Sequence, residues 1–152
     1  MIAYLDHDLA FQTDGESRMM PTLVDFLRRR QWVRSDSLLA RELPVNGRRV
    51  DLAVLTKSRV ASAFELKIGG FGRVLEQAVY NRMTFDRSWI VVSGEPRAAN
   101  VAEAAKYGVG VIVISSSCPR VLTRPGQPIF DRQARQRVVT KFDELRGVST
   151  DV

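Results

Sequence analysis

Between residues 17 and 31 the apolar side chains Met20, Leu23, Val24 and Leu27 fall at i, i+3, i+4 and i+7, the spacing of one buried helix face. Proline is comfortable only in a first helical turn, so the regular helix is expected to start near Met20 or Pro21. Arg28, Arg29 and Arg30 then lie at its negative dipole end. The period next changes to two. Residues 41–45 and 48–55 flank Asn46-Gly47, a pair suited to the two-residue primed turn of a hairpin, and Pro44 confines the first strand to an edge. In the second strand alternation sets Val50, Leu52 and Val54 against Asp51, Ala53 and Leu55. In a third, residues 60–68, it sets Phe64, Leu66 and Ile68 against Ala63, Glu65 and Lys67.

Gly69, Gly70 and Gly72 end that strand. A helix over 73–84 follows, with Leu75, Ala78, Val79 and Met83 as its apolar stripe and Gln77, Tyr80 and Asn81 on a neighbouring polar one. Residues 89–93 and 109–115 are continuously apolar and enclose an alanine-rich helix over 98–107, closed by Gly108. Two such strands joined by a helix make a parallel βαβ unit covered on both faces. The tail holds a short strand segment at 121–123, a turn at 125–128 and a basic helix over 131–146. The predicted fold class is α/β, a mixed sheet flanked by helices, and no repeat or linker divides residues 1–152.

Composition narrows the chemistry. The chain of 152 residues carries 23 Lys+Arg against 17 Asp+Glu, a formal charge of +6, which favours a polyanionic partner. No apolar run approaches the roughly 20 residues of a membrane helix, and the N-terminus lacks the basic start of a secretory signal, so a cytoplasmic, non-membrane protein is expected. With one cysteine, Cys118, and one histidine, His7, Cys/His metal sites and His-based triads are excluded. Chemistry has to rest on carboxylates, Lys, Arg or hydroxyls. The turn at Gly69 to Gly72 lacks the spacing and the Lys-Ser/Thr of a phosphate-binding P-loop.

Asp51, Glu65 and Lys67 are the informative residues. Two carboxylates on adjacent antiparallel strands can hold a hard divalent cation such as Mg²⁺, which polarises a phosphoryl oxygen and acidifies a water. Lys67, two residues beyond Glu65 on the same face, can hold that water or steady developing negative charge. All but Lys57, Lys67, Lys106 and Lys141 of the 23 basic residues are arginine, so a lysine beside the acids stands out.

Arg49-Val50-Asp51-Leu52-Ala53-Val54, then Ala63-Phe64-Glu65-Leu66-Lys67, then Gln77-Ala78-Val79-Tyr80, on an αβββαβ order, resembles the PD-(D/E)XK phosphodiesterase superfamily, the restriction-endonuclease-like fold. The resemblance implies that Asp51, Glu65 and the Leu66 backbone carbonyl bind Mg²⁺, with Mn²⁺ as a substitute, and that Lys67 positions or activates the attacking water. It also implies that Gln77 and Tyr80 correspond to a QxxxY element near the site, although only two residues separate them here. Some members add a glutamate from the first helix, for which Glu16 is the candidate. Val50 stands where the superfamily's proline would be.

The expected activity is Mg²⁺-dependent hydrolysis of phosphodiester bonds, in DNA first and with RNA left open. Arg73, Arg82, Tyr80, Arg48 and Arg49 are expected at the nucleic acid. A homodimer is expected because one small site must reach two strands, and a protein partner could supply specificity. The competing reading is a catalytically inactive nuclease-fold protein that binds nucleic acid or serves in assembly. A third is a regulatory domain binding a small anion at the Gly69 to Gly72 turn.

Overall fold

In the computed structural model, which describes residues 3–4, 15–69, 71–115, 118–129 and 131–150, Pro21 sets where the first helix begins. A 3-10 turn, Ser17–Met19, leads into α1, Met20–Arg29, with the proline in the first turn, where its missing N–H has no intrahelical acceptor to lose. Met20, Leu23, Val24, Phe26 and Leu27 form the buried stripe of α1. His7 and Gly70 lie outside the described residues.

Seven strands among the described residues lie side by side in chain order: β1 Ala3–Tyr4, β2 Leu38–Val45, β3 Arg48–Leu55, β4 Ala61–Lys67, β5 Arg87–Val92, β6 Gly110–Ser115 and β7 Cys118–Thr123. β2, β3 and β4 form the antiparallel meander. Parallel strands need a crossover, and α2, Val74–Asn81, and α3, Ala98–Lys106, supply the ones from β4 to β5 and from β5 to β6. β7 folds back antiparallel on β6 and is longer than the 121–123 segment expected. This is an α/β fold with the expected αβββαβ order, a mixed sheet flanked by helices. β1 pairs with Leu38 and Leu39 only, so Pro44 sits on the part of β2 that has no outer neighbour among the described residues. Nor is any helix among those residues long and apolar enough to cross a membrane.

The face under α1 is built from Leu52, Val54, Phe64, Leu66, Trp89, Val91 and Ile112. The opposite face has two apolar groups. α4, Arg132–Thr150, lays Val138 and Phe142 over Leu43, Val50, Ala53 and Leu55, while α2 and α3 cover Ile90, Val92, Val111 and Val113. Asp131 precedes α4, and its Oδ1 accepts the Ala134 N–H at 3.1 Å. Asp131→Ala is expected to lower stability by about 1 kcal/mol, read by chemical denaturation.

Alternation fails at one place on β3. Val50, expected to share a face with Leu52 and Val54, packs instead with Ala53 and Leu55 beneath α4. Arg41 pairs with Leu52 and Leu43 with Val50, so Glu42 stands opposite Asp51, and Glu42 has φ 52°, an uncommon conformation for a residue with a Cβ. The hairpin turns over at this pair. The turn itself is as expected, with Asn46 and Gly47 at φ 53° and 74°.

Candidate functional site: the Asp51–Glu65 carboxylate pair

The turnover at Asp51 has a direct use. Pairing of β3 with β4 runs from Leu55↔Ala61 to Leu52↔Phe64, and beyond it the Leu66 N–H donates to Asp51 Oδ2 at 2.8 Å. The carboxylate thus takes the place of a ladder acceptor as the strands part. Glu65 projects from β4 toward α2. It is 3% exposed, and its Oε1 accepts Nδ2–H of Asn81, the last residue of α2, at 3.0 Å.

The Asp51 and Glu65 carboxyls lie close enough to interact directly, and a proton on either would bridge them. Burial, and then the Asp51 charge, push the Glu65 carboxyl up to about 8, against the downward pull of the Asn81 bond and the Arg48 charge. Burial raises Asp51 as well, opposed by the Leu66 N–H; the nearby charges of Glu42 and Glu16 add to the rise. Both shifts favour a proton kept on the Asp51–Glu65 pair as pH rises. Two like charges in a dry site are avoided by sharing one proton.

The remaining predicted residues divide into those at this pair and those elsewhere. Lys67 Nζ stands 3.7 Å from Glu16 Oε1, with both side chains partly exposed, so the chain before α1 does reach the end of β4. The Arg48 guanidinium lies over the Tyr80 ring at 4.7 Å, and Tyr80 is exposed. Gln77 is half-buried one helical turn before Asn81. Arg49 and Arg73 are exposed, on β3 and just before α2. Arg82 is placed otherwise: it donates to the Tyr107 carbonyl at 2.9 Å and to the Gln127 carbonyl, and its guanidinium lies against Gly108, where a Cβ would approach to 2.5 Å. It ties the segment around Gln127 to the turn after α3.

Sequence reasoning assigned no role to Asn81, although Asn81 and not Tyr80 stands four residues after Gln77. That spacing was the available signal. Glu42 is half-buried and raises the Asp51 pKa.

No three His, Cys, Asp or Glu side chains among the described residues converge to hold a metal ion. The donors present are two hard carboxylates, the type Mg²⁺ accepts while keeping most of its waters. Such an ion would compete with protons for the Asp51 and Glu65 carboxylates, whose pKa values are raised.

The SPO1766 protein of unknown function from Silicibacter pomeroyi has a similar solved structure, with a TM-score of 0.64 and 14% identity, covering 92% of this chain and 91% of that one. SfsA of Pyrococcus furiosus, solved in complex with Ca²⁺, gives a TM-score of 0.40 and 14% identity over 76% of this chain and 64% of its own. No curated protein matches the chain. At 14% identity the likeness to the SPO1766 protein shows a shared fold. Residues 10–143 match the family model for Bacteriophage P4 protein cII, and the chain belongs to that family.

Proposed function

We propose that this chain is a nuclease-fold protein that binds nucleic acid at basic residues beside the Asp51–Glu65 pair and, at neutral pH, does not cut it. The observation that carries this reading is the stack of half-buried Arg48 on the exposed Tyr80 ring, beside the carboxyls of half-buried Asp51 and buried Glu65. A guanidinium on an aromatic ring presents a phosphate donor and a stacking surface together. Arg49 and Arg73 extend the positive surface, in keeping with the net charge of +6. The acids are satisfied within the protein by the Leu66 N–H and by Asn81.

Binding of a fluorescein-labelled DNA in EDTA, followed by anisotropy, tests this. If Arg48, Arg49 and Arg73 each meet a phosphate, affinity falls on the order of 40-fold between 50 and 200 mM salt on B-DNA. Absence of binding at 50 mM salt would contradict the reading.

A second reading is Mg²⁺- or Mn²⁺-dependent hydrolysis. It is favoured by the placement of Asp51, Glu65 and Lys67 at one end of β3 and β4, with Lys67 beside Glu16. Asp51, Glu65 and the Leu66 carbonyl would hold the ion, which supplies Lewis-acid charge and lowers the pKa of a water. Lys67 would steady the negative charge that develops on the phosphate.

A further inference from the structure

At the opposite end of the same strands from the carboxylate pair, and on the opposite face, is a cavity. It occupies about 530 Å³ between the loop after α1, the end of β3 and the starts of β4 and β5, within the range of ligand pockets. Val54 and Phe64 line it from the α1 face, whereas Glu65 and Ala63 point away from it. Gln31, at φ 60°, ends the helix so that Trp32 folds back over the sheet. Trp32 tilts against Trp89 with centroids 5.3 Å apart, and Phe64 stacks parallel to Trp89 at 6.1 Å. Trp89 and Phe64 are buried, but Trp32 is only partly so, and it forms an aromatic wall of the cavity.

The rim is cationic. Arg34, Lys57 and Arg87 line it and are exposed, and none has an ion pair with another described residue. Two more guanidiniums, of Arg30 and Arg124, lie at 5.5 and 5.8 Å from the Trp32 ring. Asp36 is the only acid among the lining residues. The ligand therefore has a planar apolar part, an anionic part and a hydrogen-bond donor edge for Asp36. Inorganic phosphate lacks the first and an uncharged aromatic lacks the second.

We propose that this cavity binds a nucleotide unit, its base against Trp32 and its phosphate among Arg34, Lys57 and Arg87, taken either as a free mononucleotide or as the 5′-phosphorylated end of a strand. This site is separate from the carboxylate pair, and it stands whether or not that pair ever holds a metal.

The chain has only two tryptophans, Trp32 and Trp89, both in this cavity, so intrinsic fluorescence reports on it directly. The probes are AMP, adenosine, inorganic phosphate and 5′-phosphorylated oligo-dT, with absorbance-corrected emission and calorimetry as a second readout. AMP or the phosphorylated oligonucleotide is expected to change emission saturably, with adenosine and inorganic phosphate each about tenfold weaker or more. Arg34→Ala/Lys57→Ala, at exposed positions, is expected to lose about tenfold in affinity with its circular dichroism unchanged. Tighter binding of the oligonucleotide assigns a strand end, and tighter binding of AMP a free nucleotide. The proposal is overturned if no probe binds at millimolar concentration, if inorganic phosphate binds as tightly as AMP, or if the double variant binds like wild type.

Discussion

Arg48→Ala/Tyr80→Ala is expected to bind DNA at least about tenfold more weakly than wild type in EDTA, the loss of one stacked contact and one phosphate contact. The slope of log affinity against log salt on a duplex should fall by about 0.9, the share of a single phosphate. Tyr80→Phe keeps the ring under the guanidinium and should bind as wild type, which separates the stack from the phenol. Arg82→Ala is the informative comparison. Its guanidinium is engaged by the Tyr107 and Gln127 carbonyls, so its removal should lower stability and leave affinity unchanged. Anisotropy titrations at several salt concentrations measure all of these, and equal affinities for wild type and the double variant would place the nucleic acid elsewhere.

The second large effect is on stability. Unfolded Glu65 titrates near 4.5, whereas in the folded chain it is held up to about 8. Below 4.5 both states carry the proton. Between 4.5 and about 8 the unfolded chain releases it while the folded chain retains it, so the contribution to stability falls as pH rises and is lost above the folded value. Asp51, also raised, acts in the same direction. Glu65→Gln has no such titration, accepts from Asn81 and donates to Asp51 in place of the carboxylic acid. The variant should be more stable than wild type at pH 8, with a Tm higher by about 5 °C or more, and the difference should shrink toward pH 5. Calorimetry across that range checks it; a wild type that gains stability over Glu65→Gln as pH rises would show that Glu65 is ionised at neutral pH.

Much of this arrangement is written in local pattern. The i, i+3, i+4, i+7 spacing of Met20 to Leu27, the Asn46-Gly47 turn and the continuous apolar strands around α3 depend on near neighbours, and the structure has all three. Strand alternation likewise places Glu65 and Lys67 on the face away from Phe64 and Leu66. The same rule misplaces Val50, because the turnover at Asp51 depends on Glu42 across the hairpin and on a Leu66 N–H that has lost its ladder. Asn81 becomes important only when α2 lies over β4, which its helical spacing alone does not reveal. The Trp32–Trp89 contact and the work of Arg82 on Tyr107 and Gln127 are longer-range still, joining segments that share no sequence period.

If the protein binds nucleic acid without cutting it, binding and cleavage must separate. Incubating wild type, Asp51→Asn, Glu65→Gln and Lys67→Ala with supercoiled and single-stranded DNA at pH 7, in Mg²⁺ and in Mn²⁺, reads binding and cleavage in one experiment. Bound, uncut DNA is expected with wild type and with the Asp51 and Glu65 variants. Nicking by wild type that all three substitutions abolish while binding persists would contradict it and establish metal-dependent hydrolysis at Asp51, Glu65 and Lys67.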